Sequence, residues 1–596
     1  MPELNFTPEQ RAAIDTRGST VLVSAAAGSG KTRVLTERLM AYLTDAEDPV
    51  DIDRFLVITY TRAAAAELRS RILDGIYARI ASDPENRSLR RQVALCAHAE
   101  IGTIHSFCAD FLRANCAALA LAPDFQVADT ERCAALRTTA LEHTLEHAYA
   151  RMDGDDGFRL LADTVGGGRD DARLSALVLS LYDKMQCHAR PELWAQRQVE
   201  LLALNGVTDI RDTPWGQVLL TRVQACAVHW CGVLETQLEV MAGEGMEWLM
   251  GIYGSSFSAT ADGLRALAHA CDRSWDEAVA ALQSVPFPRL GIARNVPDPD
   301  TREHVKAQRD AAKKAVQTLQ KQMTTDSAQA LADLHATAPA MQALLALTLD
   351  FGAAYAAEKR RRSLVDFSDL EHMAAQLLTD EDGAPTELAR QLSGRYTEIM
   401  VDEYQDVSEV QDLIFRAVSR GGNNLFFVGD VKQSIYRFRL ADPTIFLDKY
   451  ARFADFREAA PGQPRRILLR ENFRSRRAVL AGANHVFSNI MSRALGELDY
   501  DDAARLRAGA SYPGDGERPE LAVLELPDAD DDAPTPEKTA LEADYAARRI
   551  RALIDGGAVV WENGAARPAH YGDVVILLRS ANSIGPVYRA ALTAQG

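Results

Sequence analysis

"STVLVSAAAGSGKTRVLTERLMAYL", residues 19–43, decides how the chain is read. It opens on a Val-rich run of strand length, turns through small residues and glycines, and closes on apolar positions at helical spacing. The turn Ala25-Ala26-Ala27-Gly28-Ser29-Gly30-Lys31-Thr32 follows the phosphate-cradle pattern G-x-x-x-x-G-K-[ST], with Ala25 at the first glycine. In such a turn, backbone N–H groups and the N-terminus of the next helix face a phosphate. Lys31 would reach the β/γ oxygens of ATP and the Thr32 hydroxyl its Mg²⁺. The cradle alone does not say whether the nucleotide is a substrate, a switch or a fuel.

The same rhythm repeats outward. "RFLVITYT" (54–61) is a second apolar run, followed by the helical "RAAAAELRSRI". Strand-helix alternation of this kind predicts an α/β fold with a parallel sheet. From about residue 110 to 365 Ala and Leu dominate and strand runs are scarce, which predicts a helical insertion. Strand signals return at "EIMVDEYQD" (398–406) and "NNLFFVGD" (423–430). A third region from about 455 holds "RRILLRENFRS", "ELAVLELPD" and "YGDVVILLRS" (571–580), the last read as a buried strand. Between them "DADDDAPTPEK" (528–538) reads as a solvated linker.

The 596 residues carry 66 Lys plus Arg against 84 Asp plus Glu, a net charge of −18. A chain this acidic can hold nucleic acid only through local basic and aromatic patches. Its eight cysteines form no C-x-x-C pair, and Cys226, His229 and Cys231 match no usual zinc spacing. The N-terminus has no basic region followed by an apolar run, and the expectation is a cytoplasmic protein with no membrane partner.

A cradle that serves turnover needs carboxylates at the end of another buried strand. Asp402 and Glu403 stand there, one for the Mg²⁺ shell and one to polarise water. Gln10, in "FTPEQRAAI" (6–14), carries an amide able to read adenine through N6 and N7. "GDVKQSIYRFRLAD" (429–442), "LLRENFRS" (468–475) and "TYTRAAAAELRSRI" (59–72) set aromatics beside arginines at strand ends. That pairing suits stacking on unpaired bases, and ligands of open parallel sheets gather at that rim.

The order of "FTPEQRAAI", "AAAGSGKT", "TYTRAAAAELRSRI", "IGTIHSFC", "IMVDEYQD", "VGDVKQSIYRFRLAD" and "LRENFRS" over residues 6–475 resembles the UvrD-like helicases of superfamily one. "VDEYQD", "KQSIYRFRLADP" and "LVDFSDLE" (364–371), with Arg62 and Leu440, resemble the AddA type, the helicase-nuclease subunit of a bacterial double-strand-break repair complex. The resemblance implies a RecA-like motor domain from 1–115 and 366–455, a helical insertion at 116–365, and the start of a second RecA-like domain at 456–596. It also implies an ATP-dependent helicase moving 3′ to 5′ on single-stranded and duplex DNA beside an AddB-like partner. By position, Lys31, Asp402, Glu403, Gln433 and Arg474 would run hydrolysis, with Thr32 and Asp402 at Mg²⁺. Gln10, Ala25, Ala26, Ala27, Gly28, Ser29, Gly30, Arg33 and Phe473 would hold ATP. Tyr60, Thr61, His105, Tyr436, Phe438 and Arg439 would line the single strand, although His105 equally suits a buried structural role. The Gln-Gly-x-Glu and Thr-Arg-Ala motifs of such enzymes, and a RecB-like nuclease, do not occur before Gly596, so the expectation is a fragment of a longer protein. A stand-alone UvrD-like repair helicase and a non-motor ATP-dependent scaffold remain alternatives.

Overall fold

The computed structural model describes residues 6–166, 171–292, 297–437, 441–512, 518–525, 537–562 and 565–596. Helix α1 (Pro8–Asp15) precedes strand β1 (Val21–Ala25), and α2 (Lys31–Leu43) leaves the cradle. Strand β2 (Phe55–Thr59) runs into α3 (Arg62–Ser82); α4 (Arg87–Leu95) precedes β3 (Glu100–Thr103), which runs into α5 (Ile104–Ala114). Two short strands, β4 (Gln126–Val127) and β5 (Leu364–Val365), pair in parallel. After them come β6 (Glu398–Val401), β7 (Leu425–Gly429), β8 (Ala454–Asp455) and β9 (Arg465–Leu469).

Seven of these strands form one sheet in the order β3-β2-β6-β7-β1-β9-β8, every pairing parallel. A parallel sheet is covered on both faces, so its strands are apolar on both sides. The two-residue period divides them between two cores. Val21, Val23, Val57, Met400, Phe426 and Val428 pack towards α2 and α3. Leu22, Leu56, Ile58, Ile399, Val401 and Phe427 pack towards α5 and the helix Phe367–Leu378. Because all strands run one way, their C-terminal ends reach a single rim. There the chain continues as the cradle, as Tyr60, as His105, as Asp402 and Glu403, and as Asp430.

The membership of β9 differs from the sequence reading, which placed residues 456 onward in a second motor domain. Arg465–Leu469 lies in register beside Val21–Ala25 instead. A five-residue run, Arg-Arg-Ile-Leu-Leu, does not announce which sheet it joins; here Arg466 aligns with Leu22.

The helical insertion leaves and returns at one place. Gln126 N donates to Ser363 O at 3.0 Å and Ala128 N to Val365 O at 2.8 Å. Between those points lie long helices, among them Thr130–Ala150, Pro214–Met241 and Ser327–Arg361. The last is long and apolar enough to cross a membrane by composition. Its Leu344, Leu347, Phe351 and Tyr355 are, however, buried in the insertion's own core. At its end Lys359 is buried against Asp366 (2.8 Å) and Asp369 (2.6 Å). Those two carboxylates also form the capping box of helix Phe367–Leu378. The acidic residues of "LVDFSDLE" therefore join the insertion to the sheet.

Residues Ser475–Asn489 and Ser511–Gly596 form a second compact unit. In it helix Lys538–Asp555 packs on helix Ala581–Ala594, and Val559–Glu562 pairs antiparallel with Ala565–Pro568. "YGDVVILLRS" is not the expected strand: Tyr571–Asp573 is a single 3-10 turn, and Val575 and Leu577 are 76% and 90% exposed. The described part of "ELAVLELPD" is likewise outside any strand. An apolar run becomes a strand only where a neighbouring backbone accepts its ladder, and among the described residues none does. Most of the linker at 528–538 lies outside the described residues.

A buried ion pair holds the cradle helix to the acidic strand. Arg38 of α2 is fully buried, and its Nε donates to Glu398 Oε2 of β6 at 2.7 Å while Nη2 reaches Oε1. Its Nη1 donates to Ala13 O of α1 at 2.7 Å. Removing one partner strands a buried charge. Arg38→Met is expected to lower unfolding stability by about 3–5 kcal/mol, read from urea denaturation of the sheet unit; a loss below about 1 kcal/mol would show that the pair is dispensable.

Candidate nucleotide site and adjoining groove

The cradle is shaped by two left-handed glycines. Gly28 has φ 68° and Gly30 φ 84°, a region that costs other residues a Cβ clash. Gly30 is the N-cap of α2 and has no side chain over the helix end, so the first N–H groups of α2 remain open to an anion. Ala25 closes β1 without a positive φ, which is why alanine fits at the pattern's first glycine. Ala26 and Ser29 are buried, Ala27 is exposed, and among the described residues the Ser29 hydroxyl has no hydrogen-bond partner.

The residues after β9 are sewn onto this turn. Ala26 N donates to Leu469 O at 2.9 Å and Phe473 N to Gly28 O at 2.8 Å. Asn472 Nδ2 donates to Ala27 O at 2.7 Å, and its Oδ1 accepts Arg474 N at 2.8 Å. A Cβ on Gly28 would lie 2.6 Å from Asn472 Nδ2 and 3.0 Å from Arg474 Cβ. The Cβ of Arg474 is thus brought beside Gly28 of the cradle. Asn472, which sequence reasoning passed over, is the residue that fastens it.

Gln10 is 4% exposed. Its Oε1 accepts Thr7 N at 3.0 Å in the capping box of α1, and its Nε2 donates to Ser29 O at 2.9 Å. One amide hydrogen and one lone pair remain for a base. With Phe473, Arg470, Glu471 and Phe456 it walls a cleft of about 200 Å³. Arg33 is exposed and turns to Phe6, 4.7 Å from the ring centroid, a contact not expected from the sequence. Arg11 approaches the same ring at 5.1 Å.

Across the rim, Lys31 Nζ meets Glu403 Oε2 at 2.8 Å. Asp402 N donates to Ile58 O, which holds it at the end of β6. Burial, and then the charge of Glu403, push the Asp402 carboxyl up to about 6, with Lys31 opposing. Asp406 is raised to about 6 by the same two causes. A desolvated carboxylate beside a second one is a donor set that suits a hard divalent cation, so these residues fit Mg²⁺. Thr32 is half-buried in the first turn of α2. Gln433 Nε2 donates to Asp430 Oδ2 at 2.7 Å.

A groove of about 440 Å³ continues from Asp402, Glu403 and Asp406 to Tyr60, His105 and Phe367. Tyr60 is stacked on Tyr436, centroids 4.9 Å apart and planes 22° apart. Thr61 caps α3, accepting Ala64 N at 3.0 Å. His105 is half-exposed: its Nε2 lies 3.0 Å from Glu371 Oε1 and its ring 4.8 Å from Phe367. Phe438 and Arg439 lie outside the described residues, as does Leu440.

A parallel sheet with a phosphate cradle after the interior strand β1, an acidic pair two strands away and aromatic rings on the same rim defines an α/β protein of the P-loop kind. The chain matches the UvrD/REP helicase N-terminal domain over residues 6–454 and belongs to that family. It is 37% identical to an ATP-dependent helicase/nuclease subunit of Geobacillus thermodenitrificans, over 99% of this chain and 48% of the relative. The protein of the same name from Acetivibrio thermocellus is 36% identical over 99% of this chain and 50% of its own length. That from Moorella thermoacetica is 36% identical over 99% and 46%. The chain therefore spans about half the length of these relatives.

The raised Asp402 carboxyl has a consequence for stability. A folded pKa near 6 against 3.8 when unfolded means the native state holds the proton more tightly. Stability then falls as pH rises from about 4 to 6, and the cost is complete above that. In metal-free buffer at pH 7.5, Asp402→Asn is expected to raise unfolding stability by about 1–3 kcal/mol and to lessen the pH 4–6 slope, the remainder belonging to Asp406. A destabilised variant with an unchanged slope would contradict the assignment.

Proposed function

We propose that the chain is the ATP-hydrolysing motor portion of a DNA helicase of the AddA type, acting in double-strand-break repair. The observation that carries this reading is the shared rim: Glu403, which meets Lys31 at 2.8 Å, and Tyr60, which stacks on Tyr436, line one groove.

ATP is the substrate. Its phosphates would meet the N–H groups of residues 28–32 and the Lys31 ammonium, with its adenine on the remaining amide valences of Gln10 beside Phe473. Moving Lys31 from Glu403 to a phosphate oxygen frees the carboxylate oxygen it had occupied, while the Gln405 amide stays at 2.9 Å. Glu403 then accepts the proton of a water whose oxygen attacks the γ-phosphorus as the bond to the β–γ bridging oxygen breaks. Mg²⁺, held by Thr32 and Asp402, would draw charge from the β and γ oxygens. Gln433 and Arg474 approach the transferred phosphoryl group. The driving terms are positioning and electrostatic stabilisation.

Unpaired bases would stack on Tyr60 and Tyr436 and beside His105, Phe438 and Arg439. Stacking tolerates sequence, which suits a translocating motor. It also answers the charge problem, because grip on bases does not require a basic surface overall. Movement 3′ to 5′, unwinding of duplex DNA, a cytoplasmic setting and an AddB-like partner belong to the same proposal. They are supported by the motif order and by relatives named as one subunit of a helicase/nuclease. The domain plan, a motor domain at 1–115 and 366–455, an insertion at 116–365 and a second motor domain opening at 456–596, is proposed with them, β9 excepted.

In the full-length protein, Lys31→Ala is expected to cut single-strand-stimulated ATP turnover at least about a thousandfold. Glu403→Gln should stop hydrolysis while retaining ATP binding. Turnover without any response to single-stranded DNA would instead favour a static scaffold. Tyr60→Ala should weaken binding to an unstructured oligonucleotide by about 1–3 kcal/mol, measured by fluorescence anisotropy; unchanged affinity would remove the tyrosine from the track.

A further inference from the structure

We propose that Gln405 is a positioning residue that transmits the state of the single-strand groove to the Glu403 carboxylate. The inference rests on the motor reading above and deepens it.

Gln405 is 1% exposed, yet every polar atom of its side chain is used. Its Nε2 donates to Glu403 Oε2 at 2.9 Å and to Asp406 Oδ2 at 3.2 Å. Its Oε1 accepts Asp430 N at 2.9 Å. The amide has only this orientation: reversed, its oxygen would face two carboxylates and its NH₂ would face an N–H. The Gln405 backbone carbonyl accepts Ser434 Oγ at 3.3 Å. Asp430 in turn accepts Gln433 Nε2 at 2.7 Å and pairs with Lys432 Nζ at 2.7 Å. The segment from Asp430 to Ser434 is therefore hung on one glutamine at both ends. Two residues later, Tyr436 stacks on Tyr60.

Gly429 supplies an independent observation. Its φ is not positive, so no turn demands glycine there. A Cβ at that position would lie 2.5 Å from Gln405 Oε1 and 3.1 Å from Gln405 N. The glycine is required by the close approach of the glutamine.

A base that displaces or joins the Tyr60–Tyr436 stack shifts the segment carrying Asp430. That shift reaches Glu403 Oε2 through two hydrogen bonds, at the oxygen that also meets Lys31. The Asp430 N to Gln405 Oε1 bond is buried, so water does not replace either partner there and the displacement is passed on to the Glu403 contact.

The test uses the full-length protein. ATP turnover is measured with and without a saturating unstructured single-stranded oligonucleotide for the unsubstituted chain, for Gln405→Met and for Gly429→Ala. Both variants are expected to reduce the ratio of stimulated to unstimulated kcat about tenfold, with KM for ATP changed less than about twofold. The double variant should be no worse than either single one, since both break one link. Equal loss of the two rates would mean a merely structural role and would overturn the inference, as would an undiminished ratio. If Gln405→Met does not fold, Gln405→Asn and Gly429→Ala decide by the same ratio. Absence of any stimulation in the unsubstituted chain would overturn the motor reading and this inference together. Stimulation that survives Gln405→Met would overturn this inference alone.

Discussion

The Arg38–Glu398 pair sets the distance on which the rest of the rim depends. Arg38 sits two turns into the helix that starts at Lys31, and Glu398 begins the strand that ends before Asp402. A bidentate guanidinium–carboxylate contact fixes direction as well as separation, and both groups are buried. A second donor of the same guanidinium holds Ala13 O, so the helix bearing Gln10 is tied in too. Burying such a pair carries a desolvation cost, and an apolar replacement of equal shape could be as stable. What it supplies is geometry: the elements carrying the amide, the ammonium and the two carboxylates are held at their far ends. At the rim they meet through Gln10 with Ser29 and Lys31 with Glu403.

With those elements fixed, the rim becomes a place where negative charge is concentrated. Asp402, Glu403 and Asp406 stand within reach of one ammonium. Burial and mutual repulsion raise two of the three. Such a site is short of cations. It suits a ligand that arrives with a divalent cation and draws Lys31 onto its own phosphates. The net charge of −18 is then no obstacle to nucleotide binding, because the balance is decided over a few ångströms, where local charges outweigh the mean field.

Much of this was legible in the sequence, for a reason specific to parallel sheets. Strands covered on both faces are written as unbroken apolar runs, so 21–25, 55–59, 398–401 and 425–429 stand out. The cradle, Tyr60, Asp402 and Asp430 follow such runs directly. Charged core residues were not legible. Arg38 on an amphipathic helix and Glu398 at a strand start both read as solvent-facing until the fold brings them together. Asn472 and Gln405 are amides inside motifs whose other members drew attention, and their work lies in hydrogen bonds across 25 to 445 residues of chain. The run at 571–580 has the composition of a buried strand, but composition does not supply a neighbour to pair with.

The backbone at Glu403 ties these points together. Its φ is 51°, in the left-handed region that a residue with a Cβ enters at a cost of about 1–2 kcal/mol. Glycine would adopt it freely but carries no carboxylate. Two adjacent acids in ordinary extended backbone point to opposite faces of a strand. One would then enter the core beneath the sheet, far from the cradle. The left-handed turn keeps both at the rim with different surroundings. Asp402 stays half-buried at the strand end, where its Oδ1 accepts the Glu403 N–H. Glu403, with its side chain 35% exposed, reaches Lys31. A modest backbone penalty therefore separates two identical functional groups into a desolvated one suited to a cation and a more accessible one suited to water. The following 3-10 turn, Tyr404–Asp406, returns the chain inward and delivers Gln405 beneath them.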